Sequence, residues 1–151
     1  MTSHFKTQLI NACKEVLDSK IQFLKSTLQE ATDAGNNETK STAGDKHETG
    51  RAMMQLEQEK LGKQLIALET QKNDFDKIDF SIRQLTVSNG SLIETNQGFF
   101  LLASAIGKLE VDGKTIFVIS NKSPLDLQLI GLKANSKTTF NGINYEINSL
   151  F

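Results

Sequence analysis

The sequence predicts an α+β protein, with an N-terminal antiparallel coiled-coil hairpin of α-helices over residues 1–77 and an antiparallel β domain with one short helix over residues 78–151. The first half repeats its apolar residues every three or four positions, the period of a helix face. The second half consists of short β-branched and aromatic runs separated by Asn-Gly and Asp-Gly pairs, the signature of hairpins. The texture changes near Lys77, which sets the boundary.

The first helix is read from Phe5, Leu9, Ala12, Cys13, Val16, Phe23, Leu24, Leu28 and Ala31, with Thr2 or Ser3 as its cap. Its end is expected at Asp33-Ala-Gly-Asn-Asn37, because Gly and Asn readily take the left-handed conformation that closes a helix. The second helix follows Gly44. Met54, Leu61, Leu68 and Phe75 fall seven apart with Met53 and Leu65 alongside, which indicates a coiled-coil seam. Glu57, Glu59, Lys60, Lys63, Glu69 and Lys72 are assigned to the other faces. Each helix is expected to hold about 30 residues and to extend about 45 Å. Equal lengths, matching seams and a polar connection of about ten residues predict that the two fold back on each other.

In the second half, strands are expected at Gln84–Val87, Ser91–Thr95, Gly98–Ser104, Lys108–Val111, Thr115–Ile119, Thr138–Phe140 and Asn144–Ile147. Asn89-Gly90, Asp112-Gly113 and Asn141-Gly142 are expected as two-residue turns. Ser123-Pro-Leu-Asp-Leu-Gln-Leu-Ile-Gly131 has Pro in a first helical turn and Gly past the end, so one short helix is expected there.

Composition narrows the function. Residues 1–77 hold 11 Lys/Arg against 12 Asp/Glu and residues 78–151 hold 6 against 6, so no half offers the cationic surface that sequence-independent nucleic-acid binding requires. A protein partner is favoured. No apolar run reaches the length of a membrane span and residues 1–6 lack a signal-peptide layout, so a cytoplasmic protein is expected. Cys13 has no second cysteine to pair with, and with His4 and His47 alone it makes no zinc set; it is read as a buried structural thiol. No glycine-rich phosphate loop, HExxH motif or nucleophilic triad is present, and no small-molecule substrate is implied.

The chemistry-bearing candidates are Asp45 and Glu48, between the two helical stretches. Their spacing is that of a capping box, with Asp45 as N-cap and Glu48 three residues on. It also suits a metal-holding pair, since carboxylates at a helix start are favoured in their charged form and Mg²⁺ accepts one or two carboxylates beside waters and a partner's ligands. Two acids are too few for an independent site, so any metal would be shared. His47, Lys46 and Arg51 are read as surface residues of the first turns, and Met53-Met54 as seam packing.

Along nearly its whole length the chain resembles the Gre family of bacterial transcript-cleavage factors, GreA and GreB. Gly44-Asp45-Lys-His-Glu48 matches the family's Gly-Asp-x-x-Glu at the start of helix two. Val118-Ile-Ser120 and Ser123-Pro-Leu-Asp-Leu-Gln-Leu-Ile-Gly-Leu-Lys133 resemble its strand and Ser-Pro-Leu segment, and Phe140–Ile147 its last hairpin. The resemblance implies an FKBP-like β domain that docks on RNA polymerase and a coiled coil that enters the secondary channel. There Asp45 and Glu48 would hold a second Mg²⁺ in the polymerase active site, assisting cleavage of backtracked RNA as auxiliary groups rather than as an enzyme. Nucleic acid would be met only through the elongation complex. The chain departs from the family after the glutamate, reading Thr49-Gly-Arg-Ala52 where the family continues Asn-Ala-Glu-Tyr. A channel-binding regulator or inhibitor without cleavage activity therefore stays open, as do an FKBP-type peptidyl-prolyl isomerase and a coiled-coil dimerisation module.

Overall fold

The computed structural model describes residues 3–40 and 45–151, without the side chains of residues 35–40 and 45–48. Two long helices, α1 (Ser3–Lys40) and α2 (Asp45–Asp76), precede strands β1 (Leu92–Thr95), β2 (Gly98–Ala103), β3 (Gly107–Val111) and β4 (Lys114–Ser120). A short helix α3 (Pro124–Leu129) and strands β5 (Lys137–Phe140) and β6 (Ile143–Leu150) complete the order. The chain divides into two compact units, one made of the residues up to Val16 with Asn73–Phe151, the other of Leu17–Lys72.

The helices are longer than expected, at 38 and 32 residues. α1 does not stop at residues 33–37 but runs through them. Asp33 accepts a hydrogen bond from Gln29 Nε2 (3.1 Å), an i,i+4 contact that supports a helix. The roughly 1 kcal/mol propensity cost of one glycine is too small to stop a helix sustained on its N-terminal side. Four threonines are accommodated within the helices, Thr7, Thr27, Thr32 and Thr70 each donating to the carbonyl four residues back.

The buried stripe of α1 also differs from the expected one. Phe5, Leu9, Cys13, Leu17 and Ile21 are buried, four apart, whereas Phe23 is 69% exposed. A step of four overshoots a helical turn by about 40°, so the stripe drifts around the helix, and a straight helix face drawn from Phe5 takes in Phe23 while skipping Leu17 and Ile21.

In the β-containing unit the six strands form one sheet in the order β3-β4-β2-β1-β6-β5. Adjacent pairs are antiparallel except β2 and β4, which run parallel with Phe99 beside Ile116 and Ala103 beside Ser120. The expected all-antiparallel domain is corrected at this one pair. Between them in sequence lies β3, paired with the outer side of β4, so the chain leaves β2, passes the edge and returns beside it.

Two of the three expected turns are hairpins. Asp112-Gly113 joins β3 to β4 and Asn141-Gly142 joins β5 to β6, with positive φ at both residues of each pair, as a type I′ turn requires. Asn89-Gly90 is different. Asn89 is not among the positive-φ residues, and Gly90 (φ 90°) sits where an added Cβ would lie 2.8 Å from Ile78 Cγ2. Gln84–Val87 is not a strand: one isolated bridge joins Thr86 to Lys133, and the Val87 N–H and carbonyl bond to Leu132 and Gly131. α3 forms as expected, with the Ser123 hydroxyl accepting from the Asp126 N–H (3.2 Å), Pro124 in the first turn and Gly131 at φ 84° beyond its end.

Both faces of the sheet centre are covered, which accounts for the unbroken apolar runs of β2 and β4. Ile93, Phe100, Leu102, Tyr145 and Ile147 pack with Val87 and with Leu129 of α3. Phe100 stacks on Phe117 at 5.4 Å and meets Tyr145 edge-on at 6.0 Å. The alternate residues Leu92, Leu101, Ile116 and Val118 are fully buried too. Phe99 meets Phe5 of α1 at 6.4 Å, and the Lys114 ammonium lies over both rings.

Candidate functional site

Within the unit Leu17–Lys72, α2 turns a seven-residue repeat toward its neighbours. Met54, Gln58, Leu61, Leu65, Leu68 and Lys72 are among its buried or half-buried positions and alternate in steps of four and three, with Gly50, Gly62 and Gln71 half-buried beside them, and Phe75 continues the series beyond that unit. Met53 lies off this line and is 66% exposed, contrary to its assignment to the seam, whereas Lys72, assigned to an outer face, falls on it. Two seam positions are polar. Lys72 pairs with Asp18, and Gln58 Nε2 donates to the Ala31 carbonyl at 3.3 Å. Leu68 lines a shallow apolar groove with Phe23 and Leu24. Partners on α2 move toward its start as partners on α1 move toward its end.

Of the predicted site residues, Asp45 is the first residue of α2 and Glu48 stands one turn in. Their side chains, with those of Lys46 and His47, lie outside the described residues, as do residues 41–44 altogether, so the capping box is outside them too. Gly50 is within α2, and Arg51 is exposed on it. Among the described residues no group of three His, Cys, Asp or Glu side chains is clustered so as to hold a metal.

Other groups can be assigned directly. Cys13 is fully buried, and burial pushes its thiol up to about 12, so it is protonated at neutral pH and inert as a nucleophile. No described helix is long and apolar enough to cross a membrane.

Two charged groups escaped the sequence reading. Asp126, in the first turn of α3, has no exposed surface, and neither carboxylate oxygen has a hydrogen-bond partner. Burial pushes its pKa up to about 6. Lys6 is 9% exposed on α1, its ammonium donating to the main-chain oxygen of Phe151 at 3.0 Å. Desolvation lowers its pKa, opposed by the attraction of Asp79. The apolar period hides both, since Asp126 reads as a normal first-turn acid and Lys6 as a solvated neighbour of Phe5.

No protein-family model matches the chain, and no curated protein is significantly similar to it.

Proposed function

We propose that the chain is a Gre-like elongation factor: it binds a bacterial RNA polymerase at the secondary channel and stimulates cleavage of backtracked RNA by the polymerase's own active site. The supporting observation is the opposed register of the Lys72–Asp18 and Gln58–Ala31 contacts. That register favours the antiparallel coiled-coil hairpin, and in such a hairpin the Gly44-Asp45-x-x-Glu48 motif would stand at the far end, where the proposed chemistry needs it. The six-stranded sheet with its single short helix supports the FKBP-like reading of the β domain at the level of architecture.

In this reading Asp45 and Glu48 are the pair that would share Mg²⁺ with the polymerase, one or two carboxylates being a normal protein contribution to its octahedral shell. When bound, the ion supplies Lewis-acid activation of the attacking water. The chain itself supplies reach and negative charge, and the β domain holds the partner. Balanced charge fits a contact made chiefly with protein.

Gly50 favours a second reading, a polymerase-binding regulator without cleavage activity. A glycine there weakens the helix by about 1 kcal/mol relative to Ala, next to the residues that must be held still.

Stalled, backtracked complexes of the cognate polymerase separate the readings. The first expects endonucleolytic shortening of the RNA by the intact chain, abolished by Asp45→Ala or Glu48→Ala. Polymerase binding without shortening selects the second. Absence of binding removes both.

A further inference from the structure

The start of α3 is left short of acceptors while the acid placed to supply them is buried beside it. Ser123-x-x-Asp126 has the spacing of a capping box, in which the acid at the third helical position reaches back to the N-cap N–H. Half of that box is made. The Ser123 hydroxyl accepts from the Asp126 N–H at 3.2 Å, but the Ser123 N–H donates to the Ser120 carbonyl at 3.0 Å instead. The Leu125 N–H makes no hydrogen bond to the described residues. The Asp126 carboxyl lies inside, with no exposed surface and no partner for either oxygen.

That position suits the neutral acid alone, because an ionised carboxylate buried without donors is among the costliest of groups. No counter-charge holds it. Lys122 and Lys133, on either side of α3, are exposed, as are Lys137 on β5, which packs on the helix, and Lys114 on β4. Glu94 and Glu146, on the strands that pack with Leu129, are half-buried. None of these acts on the Asp126 carboxyl, which burial alone displaces. As pH rises through the folded value the proton passes to water, and the unmet donors closest in sequence are those at the helix start. The segment has room to give there, since α3 spans six residues between the turn at residues 121–123 and Gly131 at φ 84°.

We propose that Asp126 is a proton-operated latch on α3: neutral, it stays packed inside; ionised, it moves to the start of the helix, takes the Ser123 and Leu125 N–H groups and lifts the first turn from the sheet. Release breaks the Ser123–Ser120 bond and completes the capping box. The latch lies wholly in the β-containing unit and does not depend on the polymerase reading.

Heteronuclear NMR of the full chain, titrated from about pH 4 to about pH 8, tests it. The ratio of released to latched form should rise about tenfold per pH unit. The Ser123 and Leu125 amides should move with the same midpoint as the Asp126 carboxyl, and cross-relaxation from the Asp126 β protons should pass from core side chains to the Ser123 amide. Asp126→Asn, neutral at every pH and of the same shape, should keep the low-pH spectrum of α3 throughout. A carboxyl that titrates while both amides stay still, or amide movement that survives Asp126→Asn, would each overturn the latch. The wild-type titration decides the first of these even if the variant folds poorly.

Discussion

The two compact units are held together in different ways. In the β-containing unit, strands β1, β2, β4 and β6 and helix α3 contribute fully buried side chains on both faces of the sheet, Leu92, Ile93, Leu101, Leu102, Ile116, Leu129 and Ile147 among them. Among the described residues of Leu17–Lys72, the buried apolar side chains are only Leu17, Ile21 and Leu61. Two of that unit's cross-helix contacts are polar, while Phe23, Met53, Leu56 and Ile66 are largely exposed. A sheet covered twice gains stability from area removed from water. A pair of helices with one seam has less to gain, and must take part of its specificity from where polar groups meet.

Truncation tests this difference most strongly. Leu102→Ala, in the fully buried β2 strand, is expected to cost about 2–5 kcal/mol in urea unfolding, while Leu65→Ala, half-buried on α2, should cost about 1 kcal/mol. Equal costs would break the comparison.

Asp126 gives the next largest effect. Its carboxyl is held near 6 in the folded chain against about 3.9 when unfolded, so the folded state binds the extra proton between those values. Stability must therefore fall as pH rises from about 4 toward 7, by up to about 3 kcal/mol. Asp126→Asn should lack this fall: its stability relative to wild type, from unfolding at each pH, should rise by that amount across the window. A flat difference would show that the buried carboxyl titrates normally.

Gly90→Ala should cost about 1–3 kcal/mol, because the new methyl meets Ile78 and the backbone has positive φ. Thermal unfolding reads this directly; a neutral variant would mean that the Ile78 side chain gives way. The smallest effect belongs to the helical unit. Lys72→Ala, Asp18→Ala and the double variant should yield a coupling of about 0.2–1 kcal/mol, shrinking with salt. A coupling well above that would raise the pair from a register marker to a main support.

Much of the sheet was legible because its signals are local. Asp112-Gly113 and Asn141-Gly142 specify a turn through backbone angles that few other residues tolerate, and Ser123-Pro124 specifies a helix start through a hydroxyl and a fixed φ. What failed depends on distant partners. The parallel pairing of β2 with β4 is decided by where the β3 hairpin folds, and Gln84–Val87 has strand composition but finds a neighbour for one rung only. On α1, Leu17 and Ile21 fall outside the expected set because a stripe that steps by four drifts off a straight helix face. For the candidate site, sequence gave the order of helix, acids and helix. The opposed register required Asp18, Ala31, Gln58 and Lys72 to be seen in contact. The burial of Lys6 left no trace in the sequence, since its partners Phe151 and Asp79 stand far along the chain.

The order of the sheet has a practical consequence for handling the protein in the tests above. Its two outer strands, β3 and β5, are the ones with free main-chain donors and acceptors on one side. They span five and four residues, with Lys108, Glu110 and Lys137 pointing to solvent. Short borders studded with charge resist the addition of a foreign strand. Concentrated samples should therefore stay free of edge-to-edge fibres, and replacing Lys108 and Glu110 with valine should raise the tendency to associate, as read by light scattering.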